Sequence, residues 1–118
     1  MSIREKILQA QDRKEKEMYI PEWDVKVLLR ELSAFERANA LSKAYRQDGN
    51  LDLANLYLYV VAYGLYDAET KERIFNPNKQ EDLVALGTKN GAVIENIAKE
   101  IMTLSSMQFG AVEQAEKN

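Results

Sequence analysis

The sequence contains no cysteine and no histidine. Those two absences exclude thiol nucleophiles, disulfides, thiolate zinc sites and imidazole general bases. A chain without cysteine fits a reducing cytoplasm, although other compartments accept one too. Glycine is sparse, and its positions 49, 64, 87, 91 and 110 are scattered, so no phosphate-cradling loop can be built locally. Long apolar runs are also missing. The longest, "LYLYVVAYGLY" from Leu56 to Tyr66, falls well short of the roughly 20 residues that cross a bilayer. Charges at Arg4, Glu5 and Lys6 interrupt any apolar signal-peptide core, and the expectation is a chain that is neither exported nor membrane-bound.

An excess of one charge is likewise lacking. The formal charge is −3, and in "REKILQAQDRKEKE" the bases Arg4, Lys6, Arg13, Lys14 and Lys16 are interleaved with Glu5, Asp12, Glu15 and Glu17. A nucleic-acid backbone would meet both signs, which argues against nucleic-acid binding.

What is present is a globular composition. Hydrophobic residues make up 46% and charged residues 30% of 118 residues, enough for one modest core and too little for two. The expectation is a single domain over residues 1–118, with a helical arm at 1–17, a core at 18–107 and a flexible tail at 108–118.

Ser2 and Glu5 have capping-box spacing, and Ile3, Ile7 and Ala10 share one side of a first helix. The following "QDRKEKE" is nearly all polar, so the arm's outer part has little to pack on. In "WDVKVLLRELSAFER" the period changes: Trp23, Val25 and Val27 alternate as in a half-buried strand, and helical spacing begins at Ser33. Met18 to Ile20 and Trp23 to Leu29 flank Pro21-Glu22, which suggests a small hairpin.

Ser33 to Glu36 is a second capping box, opening a helix with Ala34, Ala38, Leu41 and Tyr45 as its stripe. A third helix is expected from about Asn50 to Tyr66. At 100° per residue, Leu53, Tyr57, Val60, Val61, Gly64 and Leu65 form its apolar side, and Asp52, Asn55, Tyr59, Tyr63 and Tyr66 form its back. Tyrosine suits a wet-edged contact, so this back is either half-buried or a surface for a partner or a second copy. "DAETKERIF" reads as a turn or short extended return. Asn78 to Glu81 offers a third capping box for a short helix through Leu83 and Leu86. A last helix from Asn90-Gly91 carries Ile94, Ile97, Ala98, Ile101 and Leu104, with Glu95 placed to pair with Lys99. The fold class is therefore mainly α with a small antiparallel β element, α+β, with four to five helices.

Chemistry has few supports. Glu81 with Asp82, or Glu31 with Glu36, could in principle act as acid and base, but acids at helix starts serve the helix dipole. Ser33 is an N-cap, and Ser105 and Ser106 have no histidine. No calcium loop or paired metal ligands occur. No catalytic, cofactor or metal residues are expected, and the protein reads as a helical interaction protein.

The order of these elements resembles the tail assembly chaperones of long-tailed bacteriophages and prophage-like elements. The likeness runs from Ile20 to Met107, through "WDVKVLLREL", "SAFERANAL", "LANLYLYVVAYGLYD", "RIFNP", "QEDLVAL" and "AVIENIAKEIMTLSSM". The resemblance implies a protein of the bacterial host cytoplasm, absent from the mature virion. It would coat the tape-measure protein and keep it soluble while the tail tube assembles, and would self-associate into a homo-oligomer. It also implies a longer frameshifted form, with which the codons of Glu116-Lys117-Asn118 are compatible. The alternatives are an oligomeric adaptor or regulatory protein unrelated to tails and, more remotely, a carboxylate enzyme.

Overall fold

The computed structural model describes residues 1–107; the expected tail, 108–118, and the Glu116-Lys117-Asn118 end lie outside the described residues. Among the described residues are five helices and one three-stranded antiparallel sheet, as the α+β expectation had it. The order is α1 (Ile3–Gln9), β1 (Glu15–Ile20), β2 (Val25–Arg30), α2 (Ala34–Ala44), α3 (Leu53–Gly64), β3 (Leu65–Asp67), α4 (Gln80–Gly87) and α5 (Gly91–Leu104). No helix among them is long and apolar enough to cross a membrane.

The N-terminal arm is only partly helical. Ser2 caps α1 by accepting from the Glu5 N–H, but the chain turns extended at Ala10, and residues 15–17, expected in the arm, belong to β1. The sheet decides this: Glu15, Lys16 and Glu17 pair with Arg30, Leu29 and Leu28. Charged side chains are common on such an edge strand, where they discourage further pairing.

β1 and β2 form the expected hairpin, but its loop is the four residues Pro21 to Asp24. Trp23 therefore lies in the turn rather than on the strand. Asp24 adopts φ of 50°, a left-handed conformation that aspartate tolerates, and Tyr19 donates its hydroxyl hydrogen to Asp24 Oδ1 at 2.6 Å. Sequence order sets the sheet order β1-β2-β3, with Leu29 opposite Leu65 and Val27 opposite Asp67. Alternation along the strands then puts Ile20, Val27, Leu29 and Leu65 on the face that meets the helices, all of them buried.

The capping box at Ser33 forms as expected: Ser33 Oγ accepts from the Glu36 N–H and Glu36 Oε1 from the Ser33 N–H. The buried stripe of α2 is Ala40 and Ala44, with Leu41 half-buried; the expected Ala34, Ala38 and Tyr45 are exposed. An alanine-rich helix distinguishes its sides weakly, and here the small Ala40–Ala44 side packs against α3. α3 starts later and ends earlier than its periodicity suggests. Asp52 caps it through the Asn55 N–H at 3.1 Å, and its second half, Val60 to Gly64, is buried on every side because α2, α4 and α5 all pack on it. Leu53, expected inside, is exposed.

The third expected capping box is absent. Lys79 precedes α4 without a side-chain cap, since Asn76 Oδ1 takes the Asn78 N–H and Asp82 Oδ2 takes the Asn76 N–H at 2.6 Å. These polar groups close the Asn76-Pro77 turn. α5 matches its pattern: Asn90 caps it, Ile94, Ile97, Ala98 and Ile101 are buried, and Lys99 pairs with Glu95 at 3.0 Å. Beyond it, buried Ser105 ties the two halves of the chain, accepting from the Leu32 N–H at 3.0 Å and donating to the Ile101 carbonyl at 2.8 Å.

Candidate partner-binding site

The tyrosine group expected as a binding surface is brought together, but largely inward. Tyr63 and Tyr66 are 5% and 8% exposed, and Tyr59 is half-buried. Tyr66 is not on the helix at all, because α3 stops at Gly64 and Tyr66 sits in β3 opposite Leu28; a helical wheel does not place it. Basic side chains from elsewhere close over the rings. Lys43 Nζ lies 5.3 Å from the Tyr59 ring centre and 5.9 Å from that of Tyr63. The Arg73 guanidinium lies 5.8 Å from Tyr63 and 5.4 Å from Tyr66, and Arg30 approaches Tyr66 at 5.8 Å. Each such cation over a ring is worth about 0.5–1 kcal/mol at a partly wet site.

Arg73 also donates to the Tyr66 hydroxyl at 3.0 Å and to the Tyr63 carbonyl, and pairs with Glu36. Arg13 reaches Glu36 from the other side at 3.5 Å. Glu36 therefore holds a helix cap and two arginines at once, and joins the N-terminal segment, α2 and the loop after β3. Asp52 and Asn55 have local duties as well: Asp52 caps α3 and pairs with Arg46 at 3.7 Å, while Asn55 Nδ2 points to the Lys43 carbonyl. These five residues are chiefly occupied within the chain, and Tyr59 retains the most side-chain area of the three tyrosines.

A second feature was not anticipated from the sequence. Beside the hairpin turn a groove of about 900 Å³ opens between the β2–β3 face, the loop after β3 and the end of α4. Val27, Leu65 and Leu86 form its buried floor, Trp23 and Phe75 are half-buried in its walls, and Val25 and Ile74 are exposed there. Its rim carries Glu17, Lys26, Asp67, Glu69 and Lys89. Glu17 and Lys26 pair with each other at 2.9 Å. That contact lowers the Glu17 carboxyl below its ordinary value, chiefly through the hydrogen bond from Lys26, and raises the Lys26 ammonium correspondingly. Asp67 Oδ1 accepts from the Glu69 and Thr70 N–H groups and so shapes the wall. The groove is within the size range of ligand sites and is mostly apolar with a polar edge, which suits an amphipathic helix. Ile74-Phe75 was the one sequence signal: an apolar pair just before a proline turn.

The third feature is α1. None of its residues is buried, and Ile3, Ile7 and Leu8 are 77%, 66% and 68% exposed. A helix this short is marginal in water by itself.

The carboxylates weighed for catalysis do not form a site. Glu36 is engaged by its cap and arginines, Asp82 by Asn76, and neither pair lines the groove. Among the described residues no group of three or more acids could hold a metal ion.

No protein-family model matches the chain, and no curated protein sequence does. Among solved structures, it is similar to the bacteriophage HK97 tail assembly chaperone with a TM-score of 0.58, covering 86% of this chain and 95% of that one at 19% sequence identity. At that identity the likeness is one of fold, and the fold of this chain is that of a phage tail assembly chaperone.

Proposed function

We propose that the protein is a phage or prophage tail assembly chaperone that binds the tape-measure protein and keeps it soluble until the tail tube forms around it. It would act in the bacterial host cytoplasm and be absent from the finished virion. The observation that carries this reading is the apolar groove beside the hairpin turn, on a fold shared with a tail assembly chaperone over most of both chains. A tape-measure helix exposes an apolar stripe that must be covered reversibly. A groove floored by Val27, Leu65 and Leu86, with Trp23 and Phe75 at its sides, accepts such stripes without demanding one sequence. Tyr59 with Asp52, Asn55 and the edges of Tyr63 and Tyr66 forms a secondary surface in this reading.

The test is co-expression with segments of the cognate tape-measure protein. A segment that is insoluble alone is expected to enter the soluble fraction and co-purify with the chaperone. If no segment of the tape measure does so, the reading fails. An oligomeric adaptor without a tail client is the second reading, favoured by the unpacked α1; a gene neighbourhood without tail genes supports it.

A further inference from the structure

We propose that Arg13, Arg30 and Arg73, which converge around Tyr66 and Glu36, form a binding site for a phosphate group. The site is separate from the groove, and the inference holds whether or not the protein has a tail client.

Distant segments bring the guanidinium groups together. Arg13 precedes β1, Arg30 ends β2, and Arg73 bridges to Tyr66 in the return after β3. Alternation along the strands places Arg30 on the sheet face of Leu28 and Tyr66, opposite to that of Val27 and Leu29. Arg30 and Arg73 both approach the Tyr66 ring, at 5.8 and 5.4 Å from its centre, and Arg13 and Arg73 share Glu36. The Lys14 carbonyl accepts the Glu31 N–H at 2.8 Å, which carries the β1–β2 register one step further and lets Arg13 leave the sheet beside Arg30.

The charges around this point do not cancel. Among the described residues Glu36 is the one carboxylate in an ion pair with any of the three arginines. Both its oxygens are committed, Oε1 to the Ser33 N–H and Arg13, Oε2 to Arg73. Glu15 stands opposite Arg30 in the register, but it is exposed and makes no ion pair with it among the described residues.

Arg30 is the residue that asks for a ligand. It is half-buried, its guanidinium makes no hydrogen bond or ion pair among the described residues, and its Nε is buried without a partner. The Arg13 Nε is buried without a partner too. An empty buried donor is costly, and a charged one more so. A network serving stability alone gives no reason to leave two of them.

A phosphate group answers that need. Its oxygens accept several charge-assisted hydrogen bonds at once, the planar arginine fork matches them, and about two negative charges at neutral pH offset the surplus. A carboxylate brings one charge and two oxygens, which the cluster already has in Glu36. The Tyr66 hydroxyl accepts from Arg73 at 3.0 Å and keeps its own hydrogen to donate. The Arg13 and Arg73 side chains are 25% and 34% exposed, so an ion reaches the cluster from solvent.

The test titrates inorganic phosphate into the nitrogen-labelled full chain, with sodium chloride at matched ionic strength as the control for screening. The Arg13 and Arg30 Nε–H signals are expected to move saturably with phosphate, half-maximally at about 1 mM, and to stay in place with chloride. Arg30→Gln, with its circular dichroism spectrum unchanged, is expected to weaken binding about ten-fold as read at Arg13. Arg37→Gln, which loses only a bond to the Ser106 carbonyl, is expected to bind as the unmodified protein does. Adenosine monophosphate in place of phosphate separates the sources: tighter binding assigns the phosphate group to a nucleotide, equal binding to the free ion. Signals that do not move, that move equally with chloride, that respond to acetate as strongly as to phosphate, or that respond unchanged in Arg30→Gln overturn the proposal.

Discussion

Ser105→Ala removes one oxygen and isolates one buried donor. In the native chain Ser105 Oγ accepts from the Leu32 N–H at 3.0 Å and donates to the Ile101 carbonyl at 2.8 Å. That carbonyl keeps a second partner after the substitution, the Ser105 N–H at 2.9 Å. The Leu32 N–H keeps none, and both residues are buried. A buried backbone group left unpaired costs about 1–3 kcal/mol. The alanine methyl fits the serine site, so no large cavity adds to that cost. The expected loss is about 2 kcal/mol, or roughly thirty-fold in the folded-to-unfolded ratio. In urea, with a slope of about 1–2 kcal/mol/M, the midpoint falls by about 1–2 M while the slope stays constant. Ser106→Ala is the control. Ser106 is exposed and bonds through its backbone alone, its N–H to the Thr103 carbonyl and its carbonyl to Arg37, so replacing its side chain should cost no more than about 0.5 kcal/mol. If Ser105→Ala is as mild as Ser106→Ala, the proposed link between α5 and the β2–α2 connection is wrong.

Two further perturbations probe the fold and the rim of the groove. At Gly64 an added Cβ would stand 2.7 Å from Ile101 Cγ2 and 3.1 Å from the Arg30 carbonyl oxygen, so Gly64→Ala is expected to cost about 1–3 kcal/mol from overpacking, offset by up to about 1 kcal/mol of helix propensity. Combining it with Ile101→Ala should cost less than the sum of the two single changes; a stabilising Gly64→Ala contradicts the close α3–α5 approach. At the rim, the depressed Glu17 carboxyl contributes stability that is complete above its unfolded value and is lost as pH falls through its folded value. A carbon-detected titration should place its midpoint below that of a free glutamate, and Lys26→Met should return it; an unshifted midpoint removes the pair.

The local devices were legible in the sequence. Ser33 and Glu36 signal the start of α2 by themselves, because both partners of a capping box lie within one turn. Asn90 and the Ile94–Ile101 stripe identify α5 in the same way. One local device failed, the box expected at Asn78 to Glu81, because Asn76 and Asp82 take the N–H groups of the turn instead. The other failures came where a distant partner decided the outcome. Glu15 to Glu17 read as a solvated arm, yet β2 supplies a pairing edge for them. Trp23 alternates with Val25 and Val27 as if on a strand, but a four-residue loop absorbs it. Tyr66 read as part of the α3 back but lies in β3, and whether that back is half-buried or open to a partner is not announced by its period, because Lys43 and Arg73, which lie over the rings, come from separate segments. The groove is assembled from the hairpin turn, β3, the 68–75 loop and α4, none of which carries a site motif alone. No period or spacing announces a surface made that way.

Trp23, the only tryptophan of the sequence, lines the groove and reports on it without labelling. Its emission can be followed while a soluble apolar tape-measure peptide is titrated into the protein. A saturable blue shift, abolished by Val25→Asp with Ile74→Asp in the same chain, is the predicted result. A peptide that binds while Trp23 emission stays constant places the client elsewhere, and a peptide set that does not bind at all contradicts the chaperone role.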